Sequence, residues 1–249
     1  MSVAVASPNS RRVLLVQPGA PEPAIARAHG EYGDWFRAVP DVDPTSLYTV
    51  RPYAGEPVPP LDEMDAVIVT GARGSVYDGE PWLAPFGAQL RAAVEAGVPV
   101  LGVCYGHQLL AQIFGGRVAR NPAGREIGTV RVQLTAAGRA DPLLGQLPAG
   151  FAANATHQDA VFDLPPDVQV LAANANTTVQ AARFGARAWG VQFHPELTPA
   201  ILRTLIHGRA HALRAEGLDP ERLAADATEA PRAQTILPRF LALAGPAPG

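Results

Sequence analysis

The chain has 249 residues, a formal net charge of −3, 47% apolar residues and one cysteine. That length allows one large domain or two small ones, and the apolar share is enough for a sizeable core. A mildly acidic balance with no basic run is not a nucleic-acid footprint; no window has the length and purity of a membrane-spanning helix; and one cysteine excludes an internal disulfide.

Residues 1–10 are small, polar and unpatterned and are expected to be disordered; the stretch 1–12 lacks the apolar centre of a signal peptide. Strands are predicted at 13–17, 47–50, 66–70 and 99–103, with helices at 85–96 and 107–114, the latter stopped by Gly115-Gly116. Further strands are predicted at 129–134, 168–172, 178–182 and 189–193. Early alternation of strand and helix implies a mostly parallel central sheet with helices on both faces, and the closely spaced later strands imply a small antiparallel extension. From 199 the composition changes. An arginine- and alanine-rich helix is expected at 199–216, then a short helix at 220–227 and a final apolar segment at 236–243, forming a helical tail packed on the domain, with a partner-binding or dimer helix as the alternative.

Cys104 sits in Gly102-Val103-Cys104-Tyr105-Gly106-His107-Gln108, directly after an apolar run and directly before a helical pattern. A lone cysteine is by default a small buried hydrophobe. Here the glycine bracket and the strand-to-helix switch describe a nucleophile elbow, with sulfur in place of the usual serine oxygen. The helix start favours the thiolate through its unpaired N–H groups and dipole.

The strand at 189–193 runs into His194-Pro195-Glu196. Residues two apart on an extended chain share a side, so Glu196 is placed to hold the His194 ring. Thiol, imidazole and carboxylate then take the roles of nucleophile, base and orienter. The buried-strand pattern at 65–70 ends at Gly71-Ala72-Arg73, a βα loop beside the elbow. A tetrahedral intermediate needs two preorganised donors. The Tyr105 N–H is one, and the loop supplies the second from Gly71 or Ala72. The predicted ends of the strands at 66–70, 99–103 and 189–193 bring these signals to one sheet edge, where ligands bind in such folds.

These motifs together resemble the class I, triad-type glutamine amidotransferases, over 12–196. The stretches Thr70-Gly71-Ala72-Arg73-Gly74-Ser75 and Thr156-His157-Gln158-Asp159-Ala160-Val161 are similar to the stand-alone, guanylate-synthetase-like branch that includes γ-glutamyl peptidases. Many relatives carry a second glycine where this chain has Ala72, but a backbone N–H survives that change. The resemblance implies a flavodoxin-like amidotransferase domain at 11–198, with 199–249 as an extension. It implies that Gln108, one helical turn beyond Cys104, contacts substrate, and that His157, Gln158 and Asp159 bind the α-amino and α-carboxylate ends of glutamine. His107 is expected to be a structural neighbour.

The histidines lack metal-ligand spacing, and there is neither a Walker loop nor a Gly-x-Gly-x-x-Gly fingerprint, so no metal, ATP or NAD is expected. A free reactive thiol suits a reducing, cytoplasmic compartment. The expected activity is cysteine-dependent hydrolysis of glutamine or another γ-glutamyl amide. Alternatives are a glutaminase subunit delivering ammonia to a separate synthetase, for which the chain itself has no ATP-dependent region, a non-catalytic binding or regulatory module, and a cysteine hydrolase of other amides or esters. The motifs do not give the leaving group or the oligomeric state. Leaving-group selectivity is expected from the segments 29–35 and 77–82.

Overall fold

The computed structural model describes residues 12–245. The expectations for 1–10 and for the end of the tail lie outside the described residues. In chain order the elements are β1 (Val13–Val16), α1 (Pro23–His29), α2 (Tyr32–Arg37), β2 (Leu47–Val50), β3 (Ala66–Val69), α3 (Leu83–Glu95), β4 (Val100–Val103) and α4 (Tyr105–Ile113). They continue with β5 (Arg117–Arg120), β6 (Glu126–Leu134), α5 (Ala136–Ala140), β7 (Gly150–His157), β8 (Asp159–Phe162), β9 (Gln169–Ala173), β10 (Ala181–Arg183) and β11 (Ala188–Val191). The last part holds α6 (Pro199–Gly208), α7 (Ala210–Ala215), α8 (Pro220–Ala225), α9 (Pro231–Gln234) and α10 (Ile236–Leu243).

The main sheet runs β2-β1-β3-β4-β11-β10-β9-β6-β7, and β5 pairs with β8 in a small second sheet. From β2 through β11 the pairing is parallel; from β11 to β7 it is antiparallel. The parallel strands β1, β3, β4 and β11 are buried at every residue, as expected of strands covered on both faces. Their residues alternate between two cores. Val13, Leu15, Ile68, Leu101, Val103 and Val191 face one, while Leu14, Val16, Val67, Val69 and Val100 face the other. The second face is covered by Phe86 and Leu90 of α3 and by Leu109 and Leu110 of α4.

The helices beyond 198 belong to this packing. Ile236, Leu237 and Phe240 are fully buried in the first core, and Leu202, Ile206 and Leu213 form a third cluster with Ile25 and Trp35. The helix expected over 199–216 is two helices. Gly208, a poor helix former, precedes Arg209, whose backbone leaves the helical region at φ −107° and ψ 9°. The strand expected at 178–182 is shorter and later, at Ala181–Arg183, and its register with β9 shifts between Ala181 and Ala182. The segment 156–159 lies at the end of β7 and the start of β8.

Register sets the functional edge. Gly102 pairs with Val69 on one side and with Gly190 on the other, and Val103 pairs with Val191. The carboxyl ends of β3, β4 and β11 are therefore level, and the residues that follow them emerge side by side.

Candidate active site

Cys104 takes the backbone angles φ 52° and ψ −100° between β4 and α4. A positive φ at a residue with a Cβ is a strained conformation. It is held by a bond from the Cys104 N–H to the Val191 carbonyl (2.8 Å) and by one to its own carbonyl from the Gln108 N–H (3.0 Å). The flanking glycines are required by contact. A Cβ at Gly102 would lie 2.4 Å from the Gly106 backbone, and one at Gly106 would lie 2.3 Å from the Val69 oxygen. Tyr105 is the first residue of α4, where an N–H has no acceptor within the helix.

His194 is fixed at the end of β11 by its N–H bond to the Asn154 carbonyl (2.8 Å). Asn154 is itself held by Thr129 and by the Leu197 carbonyl, each at 2.8 Å. The ring Nδ1 lies 2.6 Å from Glu196 Oε1, and Nε2 is buried without a hydrogen-bond partner. All three side chains are buried. Burial alone would lower the His194 pKa, but the charges of Glu196 and Cys104, with the Glu196 hydrogen bond, outweigh it and raise it to about 10. A thiol beside an imidazole oriented by a carboxylate is an arrangement able to attack a carbonyl carbon and to protonate a leaving amine.

Gly71 follows β3 and lies against both partners: a Cβ there would be 2.9 Å from His194 Cε1 and 3.5 Å from Cys104 Cβ. Ala72 lines the cavity that opens on Cys104, about 290 Å³ in volume. Gln108, His157, Gln158 and Asp159 line the same cavity. The Gln108 side chain donates to the Asp159 carbonyl and to Gln192 Oε1, both at 3.1 Å. Asp159 Oδ2 accepts from Ser75 at 2.5 Å, while Oδ1 is buried without a hydrogen-bond partner.

His157 is a strand residue, not a solvated loop histidine. Its Nδ1 lies 2.9 Å from the Asp159 carbonyl and its Nε2 lies 2.9 Å from Glu126 Oε2, so both ring nitrogens face acceptors. Glu126 also accepts from Asn174 and Gln180; burial would raise its pKa, but these bonds and His157 hold it below the usual value. His107 is fully buried against Phe184, and burial lowers its pKa to about 3, so it stays neutral. It packs where Gly190 has no side chain, since a Cβ there would lie 2.4 Å from its Nδ1.

A second chamber, about 30 Å³, shares Cys104, Ala72, Thr156 and Arg209 with the first and is walled by His194, Tyr32 and Trp35. Segment 29–35 therefore contributes to the surroundings of the thiol. Segment 77–82 instead borders a separate cavity against α3 and α4 that does not include Cys104. Arg73, Arg120, Arg125 and Arg209 also line the main cavity, and reading the sequence did not single out the last three. An arginine in an Arg/Ala-rich helix gives no signal beyond a solvated face. Among the described residues no group of His, Cys, Asp and Glu is arranged to hold a metal ion, and no helix is long and apolar enough to cross a membrane.

Fold and site together define an α/β protein with a cysteine elbow at the carboxyl edge of a parallel sheet. The sequence model of the family described as glutamine amidotransferase class-I matches residues 46–206, and the chain belongs to that family. It is 36% identical over 173 residues to a GMP synthase [glutamine-hydrolyzing] of Aeropyrum pernix, covering 70% of this chain and 30% of that one. It is 30% identical over 148 residues to gamma-glutamyl peptidase 5 of Arabidopsis thaliana, covering 59% of each. The chain thus spans about a third of the synthase and three-fifths of the peptidase. In fold it is similar to the crystal structure of a glutamine amidotransferase from Thermotoga maritima, with TM-score 0.72 and 23% identity, covering 94% of this chain and 98% of that one.

Proposed function

We propose that the chain hydrolyses a γ-glutamyl amide through a thioester on Cys104. The observation that carries this reading is the strained Cys104 backbone at the sheet edge beside the 2.6 Å His194–Glu196 contact. The Cys104 sulfur attacks the γ-carbonyl carbon, and the N–H groups of Tyr105 and of the Gly71–Ala72 loop stabilise the oxyanion. The carbon–nitrogen bond breaks as His194 passes its proton to the departing amine. A γ-glutamyl thioester remains. His194 then takes a proton from water, the hydroxide adds to the thioester, and glutamate leaves as the thiolate reforms. Glu196 holds the ring by Nδ1 throughout and steadies its cationic form. Gln108 and the segment 157–159 hold the glutamyl half, with His157 acting through its place in the strand and not through a free ring nitrogen. The mechanism requires no cofactor. The free thiol it depends on fits a reducing, cytoplasmic setting.

A second reading has one observation in its favour. The match to GMP synthases covers about a third of their length, which suits a glutaminase part that passes ammonia to a synthetase on a partner chain. In either reading, 199–245 is an extension of the amidotransferase domain that helps to wall the site.

The test is glutamate release by the purified chain from glutamine and from γ-glutamyl peptides and amines, with Cys104→Ala as the blank. Cys104-dependent release is expected. Release that survives in Cys104→Ala overturns the mechanism, and ammonia release that rises steeply when a synthetase is added supports the second reading.

A further inference from the structure

We infer that Arg209 binds a carboxylate on the leaving group, so that the preferred substrates are γ-glutamyl amides of amino acids and not glutamine or γ-glutamyl amines. This rests on the γ-glutamyl amide reading above and names the half of the substrate which that reading leaves open.

The direction of the substrate follows from two atoms. Asp159 Oδ1 is buried beside the main cavity with no hydrogen-bond partner, and Asp159 O holds Gln108, so this end takes the α-ammonium of the glutamyl half. The proton for the leaving amine comes from His194 Nε2, the ring nitrogen that Glu196 does not occupy. The leaving group therefore starts in the small chamber that contains His194. Besides Tyr32, Trp35, Leu197 and Leu205 it is lined by His194 with the Glu196 that holds it, and its one arginine is Arg209. The chamber itself has room only for the amine nitrogen. A larger leaving group must continue past Thr156 and Arg209, which this chamber shares with the main cavity.

Arg209 is placed to meet an anion there. The guanidinium donates to Thr156 Oγ1, and among the described residues it forms no ion pair with a carboxylate. Of its neighbours in the main cavity, Arg125 is bound by both oxygens of Glu216 (2.8 and 2.9 Å) and Arg73 is 3.3 Å from Glu22, while Arg120 donates to Gln158 Oε1 and does not reach the small chamber. A mostly buried guanidinium is costly without an anion, and a bidentate carboxylate is the group its planar fork fits best. Burial is the main cause of a lowered pKa here; Arg125 and Arg73 add to it, and Tyr32 and Glu22 act against it without reversing it. A cationic leaving group would instead meet like charge from Arg209 and from the His194 imidazolium.

The experiment compares γ-glutamylglycine, γ-glutamylethylamide and glutamine as substrates of the full chain and of its Arg209→Gln and Arg209→Lys variants, reading kcat and KM for each. For the unaltered chain, kcat/KM on γ-glutamylglycine is expected to exceed that on the ethylamide by at least about tenfold, the scale of one charge-assisted hydrogen bond. Arg209→Gln should remove most of that preference, and Arg209→Lys should restore part of it. Equal or better use of the ethylamide or glutamine by the unaltered chain overturns the inference while leaving the γ-glutamyl hydrolase reading intact, and this comparison needs no variant to fold. Equal losses on both substrates in a folded Arg209→Gln protein also overturn it. Absence of Cys104-dependent release from all three substrates overturns the inference together with the reading beneath it.

Discussion

A methyl group placed on Gly71 would lie 2.9 Å from Cε1 of His194, closer than a carbon normally approaches. Gly71 closes β3 and His194 follows β11, so two strands meet at this contact across β4. The glycine is there because the imidazole needs the space, and the imidazole cannot retreat while Glu196 holds Nδ1 at 2.6 Å. Gly71→Ala is therefore expected to displace the ring from Cys104. A displacement of about 1 Å costs roughly 100-fold in rate. Steady-state kinetics should show the loss in kcat, with the melting temperature little changed. A loss below about threefold would mean that the ring is free to shift without consequence.

The strands β1, β3 and β4 were legible because parallel strands covered on both faces read as unbroken apolar runs, and β11 because its stretch alternates and is rich in β-formers. Cys104, His194 and Glu196 were legible because their geometry is local: a glycine-bracketed turn, and two residues on one side of an extended chain. Strands β5, β7 and β8 were not. Gly150–His157 holds three alanines, a glycine and an asparagine, all poor strand formers, and becomes a strand only by pairing along its length with β6. Arg117–Arg120 is exposed at both ends and is defined by its pairing with β8. Glu126 and Arg209 carry no local motif. Each enters the site through tertiary contacts, and Arg209 does so because the helix breaks at that residue.

The His194 charge has a consequence for stability. Its pKa is raised from 6.5 to about 10 in the folded chain, chiefly by Glu196 and Cys104 acting against burial. A raised value means that the folded state holds the proton more tightly than the unfolded state. The resulting stabilisation is complete below the unfolded pKa of about 6.5 and is lost as pH rises through the folded value near 10. Melting temperatures should fall between these limits, and Glu196→Gln should fall less because its ring is less strongly raised. A fall at least as steep in Glu196→Gln would exclude this pair as the source.

Glu126 supports the substrate pocket without touching the thiol. Its Oε2 holds His157 Nε2 at 2.9 Å; His157 Nδ1 holds the Asp159 carbonyl; and that carbonyl accepts from Gln108. Glu126→Gln keeps the shape but weakens the bond to His157 and so loosens Asp159 and Gln108. KM should rise about tenfold, with a smaller effect on kcat. Glu126→Ala should in addition lower unfolding stability by about 2 kcal/mol, the scale for leaving buried hydrogen-bonding partners unsatisfied, as read by urea denaturation. A fall in kcat with KM unchanged would place Glu126 in the chemical step instead.

The nucleophile itself stores strain. Cys104 keeps a φ of 52° that glycine adopts without penalty, and the bonds at Val191 and Gln108 hold it there. Relief of such strain is worth about 1–3 kcal/mol, while replacing alanine by glycine costs about 0.5–1 kcal/mol in unfolded-chain entropy. Strain is the larger effect. Cys104→Gly should therefore be more stable than Cys104→Ala by about 1 kcal/mol, and both should be without turnover. The comparison is made against alanine because both variants lack the sulfur, so packing of the thiol cancels. Urea denaturation of the two proteins decides it. Equal stability, or a more stable alanine variant, would show that the surrounding structure relaxes when the thiol is removed and that the turn is not held against its own preference.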